Sequence, residues 1–279
     1  MTKATGEVPL TFERFESRTI VDAILQMHTA LSVGSRSSLE PTGTDLPVMK
    51  DPRGMPFIPG SSIKGVIRTQ LERVLRSLDS KSTQLWACDP FSDPCVSNKA
   101  KENFVKDLKE IPDEKKEQDL SQKIWDNSCT VCRLFGSPWL ASRFAFRDAR
   151  LANAPEMLQI TEIRDGVGID RDRGAAKDGL KYDFEVVSPD AQFDISIIAE
   201  NAESWEIGLL LAILRPWQEG YMPIGGKSTR GPGWGKLGDL SIKRVEKQDL
   251  LDYLIQGKMN SASTDQFAKS LEAKLSQGV

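Results

Sequence analysis

The sequence predicts an α+β fold, because strand-like and helical hydrophobic patterns follow one another in an order that one sheet covered by helices would produce. The strand patterns lie at residues 19–33, 142–151, 184–187, 193–198 and 234–245, and the helical patterns lie at residues 62–78 and 203–215. Pro216 is expected to end the second helix, since proline lacks the amide donor that a helix needs. This order is that of a ferredoxin-like (RRM-like) βαββαβ domain.

Length and composition indicate one elaborated globular domain. The 279 residues are 39% hydrophobic and 28% charged. The longest apolar run, residues 207–214, is too short to cross a bilayer, so we expect a cytoplasmic protein without a membrane partner. The net charge of -3 argues against a uniformly basic surface. Two segments are nevertheless locally basic: residues 48–77 carry six basic and two acidic residues, and residues 225–244 carry five basic and one acidic. A locally basic groove of this kind suits a phosphate backbone.

Asp45 is the first candidate functional residue. Pro47 restricts the residue before it to extended backbone, which places Asp45 on a loop or strand edge and predicts that it is exposed. Further prolines and glycines at residues 52–60 restrict the turn that follows.

The start of the helix at residues 62–78 is the second candidate. Ser61 or Ser62 is a natural N-cap, and the free amide donors and dipole of a helix N-terminus favour an anion. Lys64 and Arg68 lie one turn apart beside the apolar stripe, so a phosphate is the expected ligand. A capped core helix with two solvated cations is the alternative.

The four cysteines bracket a charged insertion. Cys88 and Cys95 have the spacing C-x6-C, and Cys129 and Cys132 form a C-x2-C pair that can place two thiolates on one tetrahedral ion. We therefore predict a structural zinc site. Four buried thiols or disulfides are the alternatives, although a cytoplasmic setting disfavours disulfides. A catalytic thiol is less consistent with the sequence, because the one histidine, His28, lies in the first predicted strand and not near the cysteines.

Residues 142–151 alternate in polarity. This predicts a strand with Phe144 and Phe146 on the core face and Arg143 and Arg147 on a basic face. Residues 161–182 are glycine-rich and charged, which indicates a long excursion between strands.

A glycine-rich basic loop precedes the last strand. It offers flexible backbone and many donors, through residues Gly225, Gly226, Lys227, Ser228, Thr229 and Arg230. The register of a nucleotide-binding phosphate loop fails here, because Tyr221 stands where its first glycine would be and a helix precedes the segment. A loop that holds a nucleic-acid backbone is the better interpretation.

Four motifs together span most of residues 19–240. They are residues 31–35, residues 44–64 with the run I-P-G-S-S-I-K-G at 58–65, C-T-V-C-R-L-F-G followed by S-R-F-A-F-R-D-A, and G-G-K-S-T-R-G-P-G-W-G. With these motifs, and with Ile169-Asp170-Arg171 in the excursion, the chain resembles the RAMP superfamily, specifically the backbone subunits of type III CRISPR effector complexes.

The resemblance implies a division of the single domain 1–279. A palm core would comprise residues 19–84 and 129–245, with a zinc-knuckle insertion at 85–132, a thumb hairpin at 161–183 and a peripheral C-terminal helix and tail at 246–279. The thumb, with Ile169 and Arg171, would wedge into the guide–target duplex. The helix start at Gly60 to Lys64, with Arg68, and the glycine-rich loop at Gly225 to Gly235 would bind phosphates of the guide RNA (crRNA).

The resemblance also implies an activity. Asp45 occupies the place of the aspartate on which cleavage of the complementary target RNA depends, with a divalent ion such as Mg²⁺ or Mn²⁺, beside other CRISPR effector subunits. A purely structural crRNA-binding subunit is the alternative. A guide-processing nuclease ranks lower, because such enzymes usually use a histidine-bearing site.

Overall fold

The structure is a computed structural model and describes residue 12 and residues 14–34, 44–78, 85–108 and 112–276. The predicted palm boundary at residue 84 lies outside these residues. In chain order, the elements are β1 (Ser17–Met27), β2 (Phe57–Ile58), α1 (Gly60–Leu78), α2 (Asn98–Asp107), α3 (Asp113–Asn127), α4 (Thr130–Phe135), β3 (Phe144–Phe146), β4 (Ala149–Arg150), β5 (Thr161–Asp170), β6 (Ala175–Val187), β7 (Gln192–Glu200), α5 (Ser204–Gln218), β8 (Gly235–Glu246), α6 (Leu250–Gln256), β9 (Asn260–Ser261) and α7 (Thr264–Ser276).

A five-stranded antiparallel sheet organises the described residues, in the order β3-β7-β1-β8-β9. The α+β class predicted from the sequence is therefore confirmed. β1 lies at the centre, and its alternation buries Val21, Leu25 and Met27 in the core. β1 pairs with β7 and β8, which lie more than 160 residues away in sequence. The sheet therefore places an N-terminal strand between two strands from the C-terminal part of the chain.

The prediction that the first strand reaches residue 33 and includes His28 is wrong. β1 ends at Met27, because the backbone amide of His28 donates to the carbonyl of Trp234 (2.9 Å) and the chain leaves the ladder with β7. His28 itself is exposed just beyond the strand.

Helices α1 and α5 supply much of the core. The stripe of α1 predicted from helical spacing buries Ile63, Ile67 and Leu71. α5 does not end at Pro216, as expected, but continues to Gln218. A proline in the last turn removes only one amide donor, and the amide of Glu219 still donates to the carbonyl of Arg215.

The basic face predicted for residues 142–151 is partly wrong. Phe144 and Phe146 do pack on Phe135, with ring centroids 5.6 and 5.8 Å away. Arg143, however, is buried and donates to both carboxylate oxygens of Glu206, at 3.1 and 2.9 Å. Its guanidinium also lies 4.3 Å from the centroid of Trp125 in α3. Burial raises the pKa of Glu206, and the charge of Arg143 opposes this shift.

The C-terminal segment, expected to be peripheral, contributes to the core. Phe267 of α7 is fully buried against α5. A Cβ atom on Gly208 of α5 would lie 2.3 Å from the carbonyl oxygen of Phe267, so the two helices approach closely because this position is glycine. Strand β9 also extends the sheet beyond β8.

The excursion predicted at residues 161–182 forms an antiparallel hairpin of β5 and β6. Its distal half is exposed, whereas the last residues of β6, from Phe184 to Val187, are buried. Within the described residues, no helix combines the length and apolar character that crossing a bilayer requires.

We expect Arg143→Met to lower the free energy of unfolding by about 3–5 kcal/mol, because it leaves the buried Glu206 without a counter-charge. The matched control is Arg147→Met, an exposed position that should change stability by less than about 0.5 kcal/mol. Denaturant unfolding of both variants measures the difference. Equal effects would mean that the Arg143–Glu206 pair does not stabilise the fold.

Candidate functional site

The base of the β5–β6 hairpin contacts two loops on opposite sides of one strand. Side chains alternate along β6, so Tyr182 and Phe184 point to one side and Asp183 and Glu185 to the other. The first pair contacts the glycine-rich loop, residues 223–234. The second pair contacts the segment that contains Asp45, residues 45–50, which we call the acid loop.

Asp45 is held by a reciprocal pair of hydrogen bonds. Its backbone amide donates to Oδ1 of Asp183 (2.8 Å), and the amide of Asp183 donates to Oδ2 of Asp45 (3.1 Å). Leu46 then forms a parallel bridge with Phe184, and its carbonyl accepts from the amide of Glu185 (3.0 Å). Asp45 is exposed, so the structure places this carboxylate at a strand edge and open to solvent.

Glu185 anchors the other end of the acid loop. Its carboxylate accepts from the backbone amide of Val48 (3.1 Å) and from Nζ of Lys50 (2.6 Å). Burial acts to raise the pKa of Glu185. The hydrogen bonds from Lys50, from Thr161 and from the backbone amide of Val48 outweigh burial, so the pKa lies below its ordinary value. The carboxylate is therefore ionised at neutral pH and holds the loop.

The glycine-rich loop packs against the chain that follows β1. The amides of Gly226 and Gly233 donate to the carbonyls of Ser32 and Ala30, both at 2.7 Å. Gly225 has a φ of +86°, and a Cβ atom there would lie 2.5 Å from the Ser32 oxygen, so only glycine fits. Lys227 also adopts the left-handed conformation, with a φ of +61°.

A cleft of about 560 Å³ lies between this loop and the hairpin. Nζ of Lys227 is 4.4 Å from the ring centroid of Phe184, and Nη1 of Arg230 donates to the hydroxyl of Tyr182 (3.4 Å). The structure thus brings together predicted residues that are up to 61 positions apart: Ile169, Arg171, Lys227 and Arg230. Arg164, Tyr182 and Phe184 also line the cleft, although none of them was predicted to do so. Tyr182 and Phe184 alternate with polar residues at the end of the excursion, and this pattern could have identified them.

The start of α1 differs from the prediction. The helix begins at Gly60, before Ser61 and Ser62, so neither serine is the N-cap. The capping carboxylate comes instead from Asp148, whose Oδ1 accepts from the amide of Gly60 (2.7 Å). Ser61 is exposed in the first turn, and Ser62 is partly exposed. Their hydroxyls remain close to the helix start that was predicted to bind a phosphate.

Lys64 and Arg68 have different environments, and their joint binding of a phosphate stays a prediction. Burial, followed by repulsion from Arg68, lowers the pKa of Lys64. Nε of Arg68 pairs with Glu72 (2.8 Å), and its Nη1 donates to the carbonyl of Gly136 (3.2 Å). Arg68 is therefore engaged within the protein, beside the turn that follows α4.

The four cysteines lie close together, as their spacing predicted. The Sγ atoms of Cys88, Cys95, Cys129 and Cys132 are all within 4.8 Å of one another, and Cys88 is 3.7 Å from both Cys129 and Cys132. A tetrahedral ion with metal–sulfur bonds of about 2.3 Å needs sulfur–sulfur distances of about 3.8 Å, so this geometry fits a metal. The disulfide alternative does not hold, because all four cysteines are free.

The four thiols are coupled by hydrogen bonds that shift their pKa values in opposite directions. Hydrogen bonds within the cluster, together with burial, raise the pKa of Cys129 and of Cys132. Hydrogen bonds from Cys129 and Cys132 lower the pKa of Cys88 to about 7, and hydrogen bonds from the same two residues also lower the pKa of Cys95. The amide of Cys132 donates to Sγ of Cys129 (3.4 Å), which forms the tight turn expected of a C-x2-C pair.

The comparison with protein families decides the assignment. The sequence pattern of the RAMP superfamily matches residues 24–236, which is more than half of the chain. The chain belongs to the RAMP superfamily. The matched residues of this RAMP protein include the acid loop, the cysteines, the hairpin and the whole glycine-rich loop. The family resemblance described from the motifs is confirmed.

Three relatives share a name. A protein of Methanothermobacter thermautotrophicus, named CRISPR system Cms endoribonuclease Csm3, is 25% identical over 260 residues, which cover 84% of this chain and 88% of the relative. A protein of Streptococcus thermophilus with the same name is 25% identical and covers 76% and 83%. A third, from Methanocaldococcus jannaschii, is 41% identical over 59 residues, which cover 21% and 24%.

We expect the purified protein to contain about one equivalent of metal bound by the four cysteines. Native mass spectrometry measures the metal, and chelation should lower the thermal stability because the ion joins residues 88 and 95 to α4. Replacing both Cys129 and Cys132 with serine provides the control, since two thiolates alone should lose the ion. Less than about half an equivalent in the unmodified protein would contradict the site.

Proposed function

We propose that this protein is a crRNA-binding backbone subunit of a type III CRISPR effector complex and that it cleaves complementary target RNA in a metal-dependent reaction through Asp45. The observation that supports this most directly is the pair of hydrogen bonds between Asp45 and Asp183. It holds an exposed carboxylate at the base of a hairpin whose opposite side is a basic, aromatic cleft. The superfamily match and the name of the relatives, endoribonuclease Csm3, agree with the proposal.

The order of the strands supports a ferredoxin-like palm within this proposal. Along the sheet, β8, β1, β7 and β3 would be the fourth, first, third and second strands of a βαββαβ unit, with α1 and α5 as the crossovers. The β5–β6 hairpin would be the thumb, inserted between the second and third palm strands.

The thumb has the surface that a wedge between base pairs requires. Several large apolar side chains are exposed along the hairpin, namely Ile163, Val167, Ile169 and Leu180. Single exposed residues of this kind are common, but four on one hairpin make a surface that gains by contacting bases. Arg171 at its tip would pair with a phosphate.

Two areas would bind the guide backbone. The first is the glycine-rich loop, where Lys227, Ser228, Thr229 and Arg230 offer charges and donors above the tight backbone of Gly225 and Gly226. The second is the start of α1, with Ser61, Ser62 and Lys64. The first residue of α1, Gly60, lies against Phe146 of β3, and the glycine-rich loop leads into β8. Strands β7 and β1 lie between β3 and β8, so the two areas are about three strand spacings apart, which is about 14 Å. Arg68 would instead support the cysteine insertion.

The chemistry follows from the exposure of Asp45. Its Oδ2 accepts one backbone hydrogen bond, and within the described residues no donor reaches Oδ1. A single oriented carboxylate oxygen can accept a proton from a nearby 2'-hydroxyl or hold a divalent cation beside a kinked phosphodiester. Mg²⁺ or Mn²⁺, when bound there, would neutralise the charge that develops on the phosphate oxygens. The thumb would present the kinked phosphodiester by separating a base pair.

The ion at the cysteine cluster is proposed to be zinc with a structural role. Four thiolates in a closed tetrahedral set leave no open position for a substrate, which is typical of structural zinc. The ion would join residues 88 and 95 to the N-terminus of α4 and so attach the insertion to the palm.

A purely structural crRNA-binding subunit is the second candidate. The hydrogen bond that Oδ2 of Asp45 accepts from Asp183 is what a residue with only a structural role would also make. The two functions differ in what Asp45 must do when target RNA is present, so substitution of this residue separates them.

We expect Asp45→Ala to reduce cleavage of complementary RNA in the reconstituted guide-bound complex by at least about 100-fold, because the proton acceptor or cation ligand is removed. RNA binding should not change. Asp252→Ala is the control, an exposed acid on α6 outside the hairpin, and should cleave at the normal rate. Each complex is assayed with Mg²⁺ and with EDTA. Unchanged cleavage by the Asp45 variant would favour the structural subunit.

We expect replacement of Lys227 and Arg230 by alanine to weaken guide binding and to reduce its salt dependence. Two lost phosphate contacts should decrease the slope of log K against log salt by about 1.4 for single-stranded RNA. The control replaces Lys258 and Lys269, two exposed lysines of the C-terminal segment, and so removes the same charge. An equal change of slope in both variants would mean that the glycine-rich loop does not contact RNA.

A further inference from the structure

The reciprocal hydrogen bonds between Asp45 and Asp183 fix more than the position of a loop. One bond holds the backbone amide of Asp45, at 2.8 Å from Oδ1 of Asp183. The other holds its carboxylate, because Oδ2 accepts from the amide of Asp183 at 3.1 Å. One residue of β6, Asp183, therefore holds both the backbone and the side chain of Asp45. These two bonds set the orientation of the remaining carboxylate oxygen, Oδ1.

We propose that Asp183 is a positioning residue for Asp45, so that the base of the hairpin sets the orientation of the cleaving carboxylate. This inference rests on the proposed function of Asp45. Asp183 acts through Asp45 and has no role of its own in the reaction. Its side chain supplies an acceptor to the acid loop, and its backbone supplies the donor.

The neighbouring contacts explain why Asp183 alone has this role. Glu185, two residues further along the same side of β6, holds Val48 and Lys50 and leaves Asp45 untouched. Leu46 is paired with the strand through backbone atoms that no side-chain substitution removes. The acid loop thus stays attached when the Asp183 side chain is lost. The bond from the backbone amide of Asp183 to Oδ2 of Asp45 remains, and only the bond that holds the backbone amide of Asp45 is removed.

The support beneath Asp183 is rigid. It is paired across the hairpin with Asp165 of β5, and the adjacent Phe184 and Val186 are buried. A carboxylate held by such a strand keeps its direction more precisely than one held by a free loop, since misplacement of a catalytic group by about 1 Å can cost 100-fold in rate. A displacement of the hairpin base by bound RNA would be transmitted to Asp45 by the same bonds.

The test compares Asp183→Ala with Asp183→Asn in the guide-bound complex. Asparagine keeps a carbonyl acceptor for the Asp45 amide but has no charge, whereas alanine keeps neither. We expect the single-turnover cleavage rate at saturating complex to fall about 10- to 100-fold for alanine and to stay within about threefold for asparagine. Affinity for target RNA should not change in either variant. Asp252→Ala, at an exposed position of α6 outside the hairpin, is the control for loss of one negative charge.

A second measurement does not depend on cleavage. Hydrogen exchange of a peptide that begins several residues before Asp45 and ends at Pro47 reports the amide of Asp45. It should exchange faster in the alanine variant and at the normal rate in the asparagine and Asp252→Ala variants, because only the first loses the acceptor.

The outcomes separate the two proposals. Loss of cleavage in Asp45→Ala with normal cleavage in Asp183→Ala would overturn the positioning role and leave the proposed function in place. Equal losses in Asp183→Ala and Asp183→Asn would also overturn it, because the charge and not the acceptor would then matter. Normal cleavage in Asp45→Ala would remove both proposals, whatever Asp183 does. Unchanged exchange of the peptide that ends at Pro47 in Asp183→Ala would show that the bond does not hold Asp45.

Discussion

The two-residue period of strand β6 is the constraint on which the candidate site depends. Because successive side chains of a strand point to opposite sides, four adjacent residues, 182–185, contact two different loops. Aromatic side chains meet the cations of the glycine-rich loop, and carboxylates meet the acid loop. A shift of one residue in the pairing of β5 with β6 would exchange these partners and remove both surfaces at once.

The glycine-rich loop and the acid loop also share a second support. The chain from residue 28 to residue 34 accepts hydrogen bonds from Gly226 and Gly233, bridges Val187 of β6 and bridges Val48 of the acid loop. This is possible because β1 ends at Met27, which frees the backbone that follows for three different partners. The early end of β1 is therefore part of what positions the site.

Two buried groups lie where residues 85–132 meet the sheet: the cysteine cluster and the ion pair of Arg143 with Glu206. The cysteine cluster lies at the start of α4. Arg143, which precedes β3, pairs with Glu206 of α5, and its guanidinium also lies over the ring of Trp125 in α3. A buried pair of this kind is costly to break, because one partner would remain charged inside the protein. The contacts of Arg143 therefore link α3 and α5 to the residue that precedes β3.

The sequence by itself determined the α+β class, the helix α1, the cysteine cluster and the position of the excursion at residues 161–182, because periodicity and spacing are local properties. It did not determine that Arg143 is buried, that Arg68 pairs with Glu72 or that Asp148 caps α1, since a charged side chain looks the same in sequence whether its partner is water or a distant residue. Only the tertiary structure brought Asp45 to Asp183, across 138 positions, because hydrogen-bond partners on separate strands are chosen by the register of the sheet.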